Sequence, residues 1–417
     1  MINSQRVQLS SKLLCLITFT LLLLVLPTAF IHEKTSRVIF YWCGYLSLIG
    51  LLFNAFTTKL APIQKNIHLV FLLLSCLFLG WSAMSKYFSG DSSSELLFTP
   101  GKRWLVATVI ALYILNVKEK IKITSKSKAI LFTMSLAFIA SSIYGIIQGL
   151  SSDERILLGI NRATLTAYAY SSFTLAFSAL IALIINKKYK YLLQSFVLIV
   201  STCVIFLTQT RAAMFIHPAL GLLLLLAWMY KDKVLNLKIL VISFLSLIIV
   251  MVANSNIIVK RYDSTMREIK AYNNGNDNTS LGARFSMWKL GVIAFSESPF
   301  GQSESHRNNE ITKYLQDENE KSGATQFLKV HLHNEFIQYA SVFGIFGVFI
   351  LLLFFFNLIF KASQPSIIGP VGISTVAIFL YGATDVLLTS IELIVIFSTT
   401  IMLSSMACNS QKGKLEK

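Results

Sequence analysis

Two histidines and a carboxylate stand directly before a long apolar run, in the segment HLHNEFIQYASVFGIFG at residues 331–347. The side chains of His331 and His333 would share one side of an extended segment, whereas in a helix they would diverge by about 200°. A helix that begins near Asn334 would direct its positive end outward and favour neutral imidazole. Because a neutral imidazole can act as a general base, we expect one of these histidines to accept a proton.

The His-x-His spacing also permits a metal site with Glu335 as the third ligand. No second group of His, Asp or Glu with convincing spacing accompanies it, so we predict neither a metal nor another cofactor. The other histidines are scattered and are interpreted as structural: His32, His68, His217 and His306. The cysteines lie within or at the ends of apolar runs, which predicts no disulfide and no Cys-based metal site: Cys15, Cys43, Cys76, Cys203 and Cys408.

Two arginines and an aspartate also lie at the ends of apolar runs. Arg211 falls in the short turn LTQTRAAM, Arg284 stands near the start of a helical pattern, and Asp385 lies in YGATDVLLT. Ionisable groups at membrane depth are costly, and they often face a partner or a watery cavity. The alternative is that each arginine snorkels to the lipid headgroups and that the aspartate is solvated. The residues alone leave both interpretations open.

The composition shows what surrounds these residues. Of the 417 residues, 54% are hydrophobic and only 14% are charged, and the mean hydropathy is +0.64. Soluble domains carry about 25% charged residues, and a membrane-spanning helix needs about 20 apolar ones. The sequence therefore predicts an all-α polytopic membrane protein with about twelve spans. These cover residues 12–31, 38–56, 67–84, 103–117, 128–149, 164–185, 191–208, 212–230, 237–257, 336–360, 366–384 and 388–407.

The lysines and arginines indicate the orientation of these spans, because cytoplasmic loops carry an excess of both. With the N-terminus inside, the inner segments hold 19 of the 37 basic residues, the short outer loops hold 8, and one long segment holds 10. Only three of the 20 acidic residues fall inside, so the inner face carries +16 of the net charge of +17. This excess indicates attraction to anionic membrane lipid and gives no support for nucleic-acid binding. Both termini are expected in the cytoplasm.

The chain is expected to form one membrane domain, residues 1–417, with an outer insertion at 258–335 between the ninth and tenth spans. The turn-forming stretch NNGNDNTS divides this insertion in two. After it, apolar residues recur at steps of three and four, which predicts an amphipathic helix capped by Ser280. Such a helix suits the membrane interface or the top of the bundle. Its apolar stripe consists of Leu281, Phe285, Trp288, Val292 and Phe295.

The pattern H-N-x9-G-x2-G at residues 333–347 resembles the signature of the bacterial O-antigen ligase family. The segments TQTRA around Arg211 and SLGAR around Arg284, together with Asp385 near the end, resemble further segments of that family. In length and topology the resemblance covers essentially the whole chain. It implies a glycosyltransferase with a GT-C-like helical fold, located in the bacterial inner membrane with its active site facing the periplasm.

The resemblance also implies the substrates and the residues that act on them. The enzyme would transfer O-antigen polysaccharide from undecaprenyl diphosphate to a sugar hydroxyl of lipid A-core, with inversion. Arg211 and Arg284 would bind the donor diphosphate, His333 would take the acceptor's proton, and Asp385 would orient an arginine or the histidine. The remaining supporting residues are Gln209, Asn334 and His331. The chain contains no Asp-x-Asp sequence, which supports a metal-independent mechanism.

Three alternatives stay open at this stage. An O-antigen polymerase of the same superfamily shares the glycine-spaced motif. A polytopic transporter would place its functional polar residues near the middle of the membrane and would have repeated halves, whereas here these residues gather on the outer side. A structural or assembly protein would need no such group of arginines and histidine. Within the ligase interpretation, the choice of acceptor is expected to depend on residues 301–330.

Overall fold

The computed structural model describes residues 2–57, 67–90, 94–116, 123–152, 154–317, 322–326, 328, 331–362 and 365–415. All regular elements in this part of the chain are helical. The α-helices are α1 (Ile2–Ala29), α2 (Glu33–Thr57), α3 (Ile67–Ser89), α4 (Ser94–Asn116), α5 (Ile123–Ser151), α6 (Ala163–Ile184), α7 (Lys187–Leu207), α8 (Arg211–Lys231), α9 (Leu237–Ala253), α10 (Ser255–Asn273), α11 (Ser280–Glu297), α12 (Glu304–Asp317), α13 (Glu335–Phe356), α14 (Pro370–Gly382) and α15 (Ile391–Leu415). A 3-10 turn covers Gly323–Gln326, and a π-helical turn, Asn357–Lys361, extends α13.

Each of the twelve apolar runs coincides with a helix, which confirms a polytopic membrane protein. In the described part of the chain, nine helices are long and apolar enough to cross a membrane, or up to ten if α9 and the bent continuation α10 form one span. Two of the expected spans fall short of this criterion. Helix α14 has only 13 residues, and α4 carries Lys102 and Arg103 in its first half. The count of twelve therefore stays a prediction.

Helices α6 and α15 form the centre of the bundle. Their apolar windows are 89% and 94% buried, the highest values among the candidate spans, so neither helix offers much surface to lipid. Helix α6 packs against α7, α8, α14 and α15. Its sequence is rich in Ala, Ser and Thr, and such small side chains let helix backbones approach closely inside a membrane.

The connecting segments meet at two opposite ends of the bundle. At one end, the amide of Gly159 in the α5–α6 loop donates a hydrogen bond to the carbonyl of Phe30 after α1, at 2.7 Å. At the other end, Lys190 near the start of α7 forms an ion pair with Asp232 after α8. The predicted inner loops at 58–66 and 117–122 lie outside the described residues. Which end faces the cytoplasm therefore stays a prediction.

The ninth span ends earlier than predicted. Helix α9 stops at Ala253, and the chain bends by 69° at Asn254 into α10. The reason lies in the sequence: the apolar run gives way to SNIIVKRYDSTMREIKAYN, and no residue of α10 is buried. The polar insertion therefore begins at about residue 255 rather than 258.

The structure confirms a helix after the NNGNDNTS turn but corrects two of its details. The N-cap is Thr279, whose hydroxyl accepts a hydrogen bond from the amide of Gly282 at 3.1 Å, and not Ser280. The packed face is also offset from the predicted stripe, in which Val292 is 53% exposed. Small residues bring α11 close to α13, so they occupy much of the contact. The buried positions are Gly282, Ala283, Met287, Leu290, Gly291 and Ala294.

A kink in α13 explains the first glycine of the H-N-x9-G-x2-G pattern. Gly344 has φ 63° and ψ −154°, and the end of the insertion packs into this break. Ile345 donates its amide proton to the carbonyl of Pro299 at 2.9 Å, and Gln302 donates to the carbonyl of Val342 at 2.8 Å. A Cβ atom on residue 344 would lie 2.4 Å from the Pro299 oxygen. Only glycine satisfies both the backbone angle and the space.

We expect Gly344→Ala to destabilise the protein, because the backbone strain alone costs about 1–3 kcal/mol and the methyl group displaces the insertion. Gly80→Ala in α3 is the matched control, since nothing lies within 4 Å of a Cβ there. The measurement is the melting temperature of each purified variant in the same detergent. Equal melting temperatures would show that the kink is not required.

Candidate active site

His333 lies between the insertion and α13, and neighbouring elements fix its backbone. Asn334 is the N-cap of α13, and its side-chain oxygen accepts from the amide of Phe336 at 3.0 Å. Its side-chain nitrogen donates to the carbonyl of Ala383 at 2.9 Å. From α11, the indole of Trp288 donates to the carbonyl of His333 at 3.3 Å. The predicted helix start at Asn334 is confirmed, and His333 is held by contacts to α11 and α14.

Asp385 lies in the short connection between α14 and α15 and is only 4% exposed. Its Oδ1 accepts a hydrogen bond from Nδ1 of His333 at 3.0 Å and another from the amide of Val386 at 2.9 Å. Burial alone would raise the pKa of Asp385. The hydrogen bond from His333 and the nearby charge of Arg284 outweigh this effect, so the pKa lies below its ordinary value. Of the two expected partners, an arginine or a histidine, the structure places the histidine in contact.

The two histidine rings lie side by side. Their centroids are 4.3 Å apart and their planes are nearly perpendicular. Burial lowers the pKa of His331 to about 4, Asp385 opposes this shift, and the charges of Arg162 and Arg284 add to it. His331 is therefore neutral near pH 7. His333 has a φ of 50°, a left-handed backbone conformation that is uncommon outside glycine and often found at functional sites.

The contact with Asp385 determines which nitrogen of His333 is basic. A carboxylate accepts hydrogen bonds, so the neutral ring carries its proton on Nδ1. Nε2 then holds the lone pair and is the nitrogen that accepts a proton. The aspartate also stabilises the imidazolium that forms, as in hydrolases where a carboxylate supports a histidine base.

Glu335 does not lie where it could be the third ligand of the metal site that the His-x-His spacing would permit. The Oε2 atom of Glu335 accepts hydrogen bonds from the amides of Leu387 and Leu388 instead, and its side chain is buried. Among the described residues, the group that could hold a metal is His331, His333 and Asp385, whose ligand atoms all lie within 4.8 Å of one another. Two imidazoles and a carboxylate suit zinc chemically, so metal independence needs an experiment.

Arg211 opens α8 and forms an ion pair across the insertion. Its guanidinium contacts both oxygens of Glu268, at 2.5 and 3.3 Å, and donates to Ser264 at 3.0 Å. Glu268 on α10 also accepts from the amide of Leu281 at 2.9 Å. Arg211 therefore joins the start of α8 to α10 and to the start of α11. The residue predicted to bind a diphosphate is already paired in this conformation.

Two further arginines donate hydrogen bonds to the turn between α7 and α8. Arg155 donates to the carbonyl of Thr208 at 2.9 Å and to the hydroxyl of Thr210 at 3.0 Å. Arg261 donates to the side-chain oxygen of Gln209 at 2.9 Å. Gln209, one of the predicted supporting residues, therefore holds Arg261. Its φ of 52° places its backbone in the left-handed region.

Arg284 makes no hydrogen bond or ion pair within the described part of the chain. It lies in electrostatic range of Asp385 on one side and of Arg155 on the other. Burial lowers the pKa of Arg155, and Arg261, Arg284 and Arg211 lower it further. We call Arg155, Arg211, Arg261 and Arg284 the arginine cluster. Its charge exceeds that of Glu268, the carboxylate in contact with it, so it can attract an anion.

No sequence motif indicated a role for Arg155, Arg162, Arg261 or Glu268. The use of arginine rather than lysine on the outer side was a sequence signal for these arginines. Nine of the ten arginines lie on the predicted outer side, whereas 18 of the 19 inner basic residues are lysines. Because the orientation rule counts lysine and arginine together, it conceals this difference. Glu268 carried no comparable signal.

The fold and this site define a polytopic membrane protein in which a partly exposed histidine pairs with a buried aspartate beside an arginine cluster. A family model described as O-antigen ligase matches residues 196–352. The chain is 28% identical to the O-antigen ligase of Escherichia coli strain K12 over 408 residues, covering 94% of each chain. It is also 29% identical to an uncharacterized protein of Haemophilus influenzae over 179 residues, 42% of this chain and 45% of that one. The chain is therefore similar to O-antigen ligases along nearly its whole length.

The contacts of the two predicted diphosphate-binding arginines suggest different effects on stability. Arg211→Ala should lower the melting temperature, because the largely buried Glu268 loses its partner, at a cost of about 1.5–3 kcal/mol. Arg284→Ala is the control and should lower the melting temperature less, because it breaks no hydrogen bond or ion pair in the described part of the chain. Adding Glu268→Ala to Arg211→Ala should restore part of the loss. If the two single variants melt at the same temperature, the ion pair contributes nothing to stability.

Proposed function

We propose that the chain is an O-antigen ligase, a glycosyltransferase of lipopolysaccharide biosynthesis. It transfers O-antigen polysaccharide from undecaprenyl diphosphate to a sugar hydroxyl of lipid A-core. The observation that carries this proposal is the hydrogen bond between His333 and Asp385, next to an arginine cluster. Similarity to the E. coli O-antigen ligase along nearly the whole chain supports it. An oriented base and a site for an anionic leaving group are what this reaction needs.

The transfer is a direct displacement in this proposal. The acceptor oxygen attacks the anomeric carbon of the donor sugar while Nε2 of His333 takes the hydroxyl proton. The bond from that carbon to the phosphate oxygen breaks on the opposite face, so the configuration inverts and undecaprenyl diphosphate leaves. Asp385 keeps the histidine in the required tautomer and stabilises the imidazolium. The proton then passes from His333 to solvent or to the leaving group.

The arginines stabilise the leaving diphosphate in place of a metal ion. Negative charge builds on the phosphate oxygens as the sugar bond breaks, and guanidinium groups can bind these oxygens bidentately. Arg284 has no hydrogen bond or ion pair within the described chain, so it would meet the diphosphate first. Arg211 would exchange its contact with Glu268 for phosphate oxygens. Gln209 supports this group by holding Arg261, and Asn334 supports His333 by fixing the start of α13.

The orientation required for this reaction puts the site in the periplasm and both termini in the cytoplasm of the inner membrane. In an otherwise cysteine-free chain, a cysteine at Asn276 in the insertion should react with an impermeant thiol reagent on spheroplasts. A cysteine at Lys188, near the opposite end of the bundle, should not. Lysed spheroplasts provide the control in which both sites react. The reverse pattern would exclude this mechanism.

The role of His333 is tested by comparing it with its neighbour. His333→Ala should lower the transfer rate by about 10²–10⁴-fold, the usual loss for a general base, while donor binding persists. His331→Ala should keep substantial activity. Both are measured with purified enzyme, donor and lipid A-core, with and without EDTA. If activity requires added metal and both variants are equally inactive, the histidines form a metal site instead.

A deletion strain distinguishes the ligase from the polymerase of the same superfamily. Loss of a ligase leaves lipid A-core without any O-chain on a lipopolysaccharide gel. Loss of a polymerase leaves lipid A-core that carries a single repeat unit. Complementation with the wild-type chain should restore the full ladder, and complementation with His333→Ala should not.

A further inference from the structure

A cavity of about 400 Å³ lies beside His331, and no side chain of the arginine cluster lines it. Its walls come from α3, the first half of α4, the first half of α13, the α14–α15 connection and the start of α15. Apolar side chains such as Phe78, Tyr339 and Phe343 form much of its surface. The volume falls in the range of ligand pockets, about 300–1,000 Å³. The site described above leaves this cavity without a role.

Two further arginines and a glutamate line this cavity. Arg162 donates to the hydroxyl of Ser390 at 2.9 Å, and both residues face the cavity. The Nε atom of Arg103 is buried and has no hydrogen-bond partner in the described chain. Glu304 is held by the side-chain amide of Gln338 at 3.2 Å. The cavity lining therefore includes two guanidinium groups and one carboxylate. This combination suits a ligand that has both anionic groups and hydroxyls.

The cavity adjoins the proposed base, and its lining residues are not those of the arginine cluster. His331 lines it, and the His331 ring lies 4.3 Å from the ring of His333. Val386, the residue after Asp385, lines it as well. A transferase with two substrates must bring both to one base without overlap. If the arginine cluster holds the donor diphosphate, the cavity is the space left for the acceptor.

We propose that this cavity binds the acceptor, an anionic glycolipid whose sugar head group carries phosphate or carboxylate groups. Arg103 and Arg162 bind an anionic group, Glu304 accepts a hydrogen bond from a sugar hydroxyl, and the aromatic rings of Tyr339 and Phe343 pack against the sugar. The inference rests on the proposed function, because that function supplies a second substrate. It also places Glu304 within residues 301–330, where the sequence suggested that acceptor choice resides.

The test compares Arg103→Gln and Arg162→Gln with Lys102→Gln, an exposed neighbour that does not line the cavity. Each cavity variant should raise the KM for lipid A-core by about tenfold or more, the usual effect of losing a charged hydrogen bond. The KM for the donor and the value of kcat should change little. Lys102→Gln should behave as wild type. With lipid A-core from which the phosphates have been removed, wild type and the cavity variants should have similar KM values.

A direct measurement of acceptor binding can test the cavity even if the proposed function is wrong. Lipid A-core is titrated onto wild type and variants in nanodiscs, without donor, and the Kd is measured. Weaker binding by Arg103→Gln supports the cavity even if no ligation occurs. Unchanged binding, or a raised KM for the donor alone, overturns the assignment. Melting temperatures show whether each variant is folded. Arg103→Lys keeps the charge and replaces any variant that does not fold. It should bind lipid A-core more tightly than the neutral variant.

Discussion

The buried carboxylate of Asp385 imposes the main constraint on this end of the bundle. A carboxylate that is 4% exposed beside apolar helices is tolerable only if hydrogen-bond donors and positive charges surround it. The structure supplies Nδ1 of His333, the amide of Val386 and the nearby charge of Arg284. Satisfying this one group joins the α14–α15 connection to the start of α13, and it gives His333 a defined tautomer.

The insertion returns to the bundle through contacts that all support this arrangement. Glu268 connects α10 to Arg211 and to the start of α11, and Trp288 on α11 holds the backbone of His333. Further along, the chain packs into the break at Gly344. Each contact fixes a segment of the insertion against a membrane helix. These contacts therefore hold the polar insertion against the bundle next to His333 and Arg211.

The sequence by itself determined the helical membrane architecture and the start of α13. Apolar runs of about 20 residues can satisfy their backbone groups in a membrane only as helices, so the approximate bounds of these helices follow from local composition. The N-cap at Asn334, the turn before α11 and the short connection around Arg211 depend on a few neighbouring residues. The end of α9 was missed by four residues, because Ile257 and Ile258 extend the apolar composition past the bend at Asn254.

Only the tertiary structure decided which charged groups meet. His333 and Asp385 are 52 residues apart, and Arg211 and Glu268 are 57 apart, so no local pattern connects them. A carboxylate at a helix end gives the same sequence signal whether it meets solvent, an arginine or a histidine. The choice depends on which helices pack together. For the same reason the sequence left Glu335 open as a metal ligand beside the histidines, whereas the packing of α13 on the α14–α15 connection turns it toward the amides of Leu387 and Leu388.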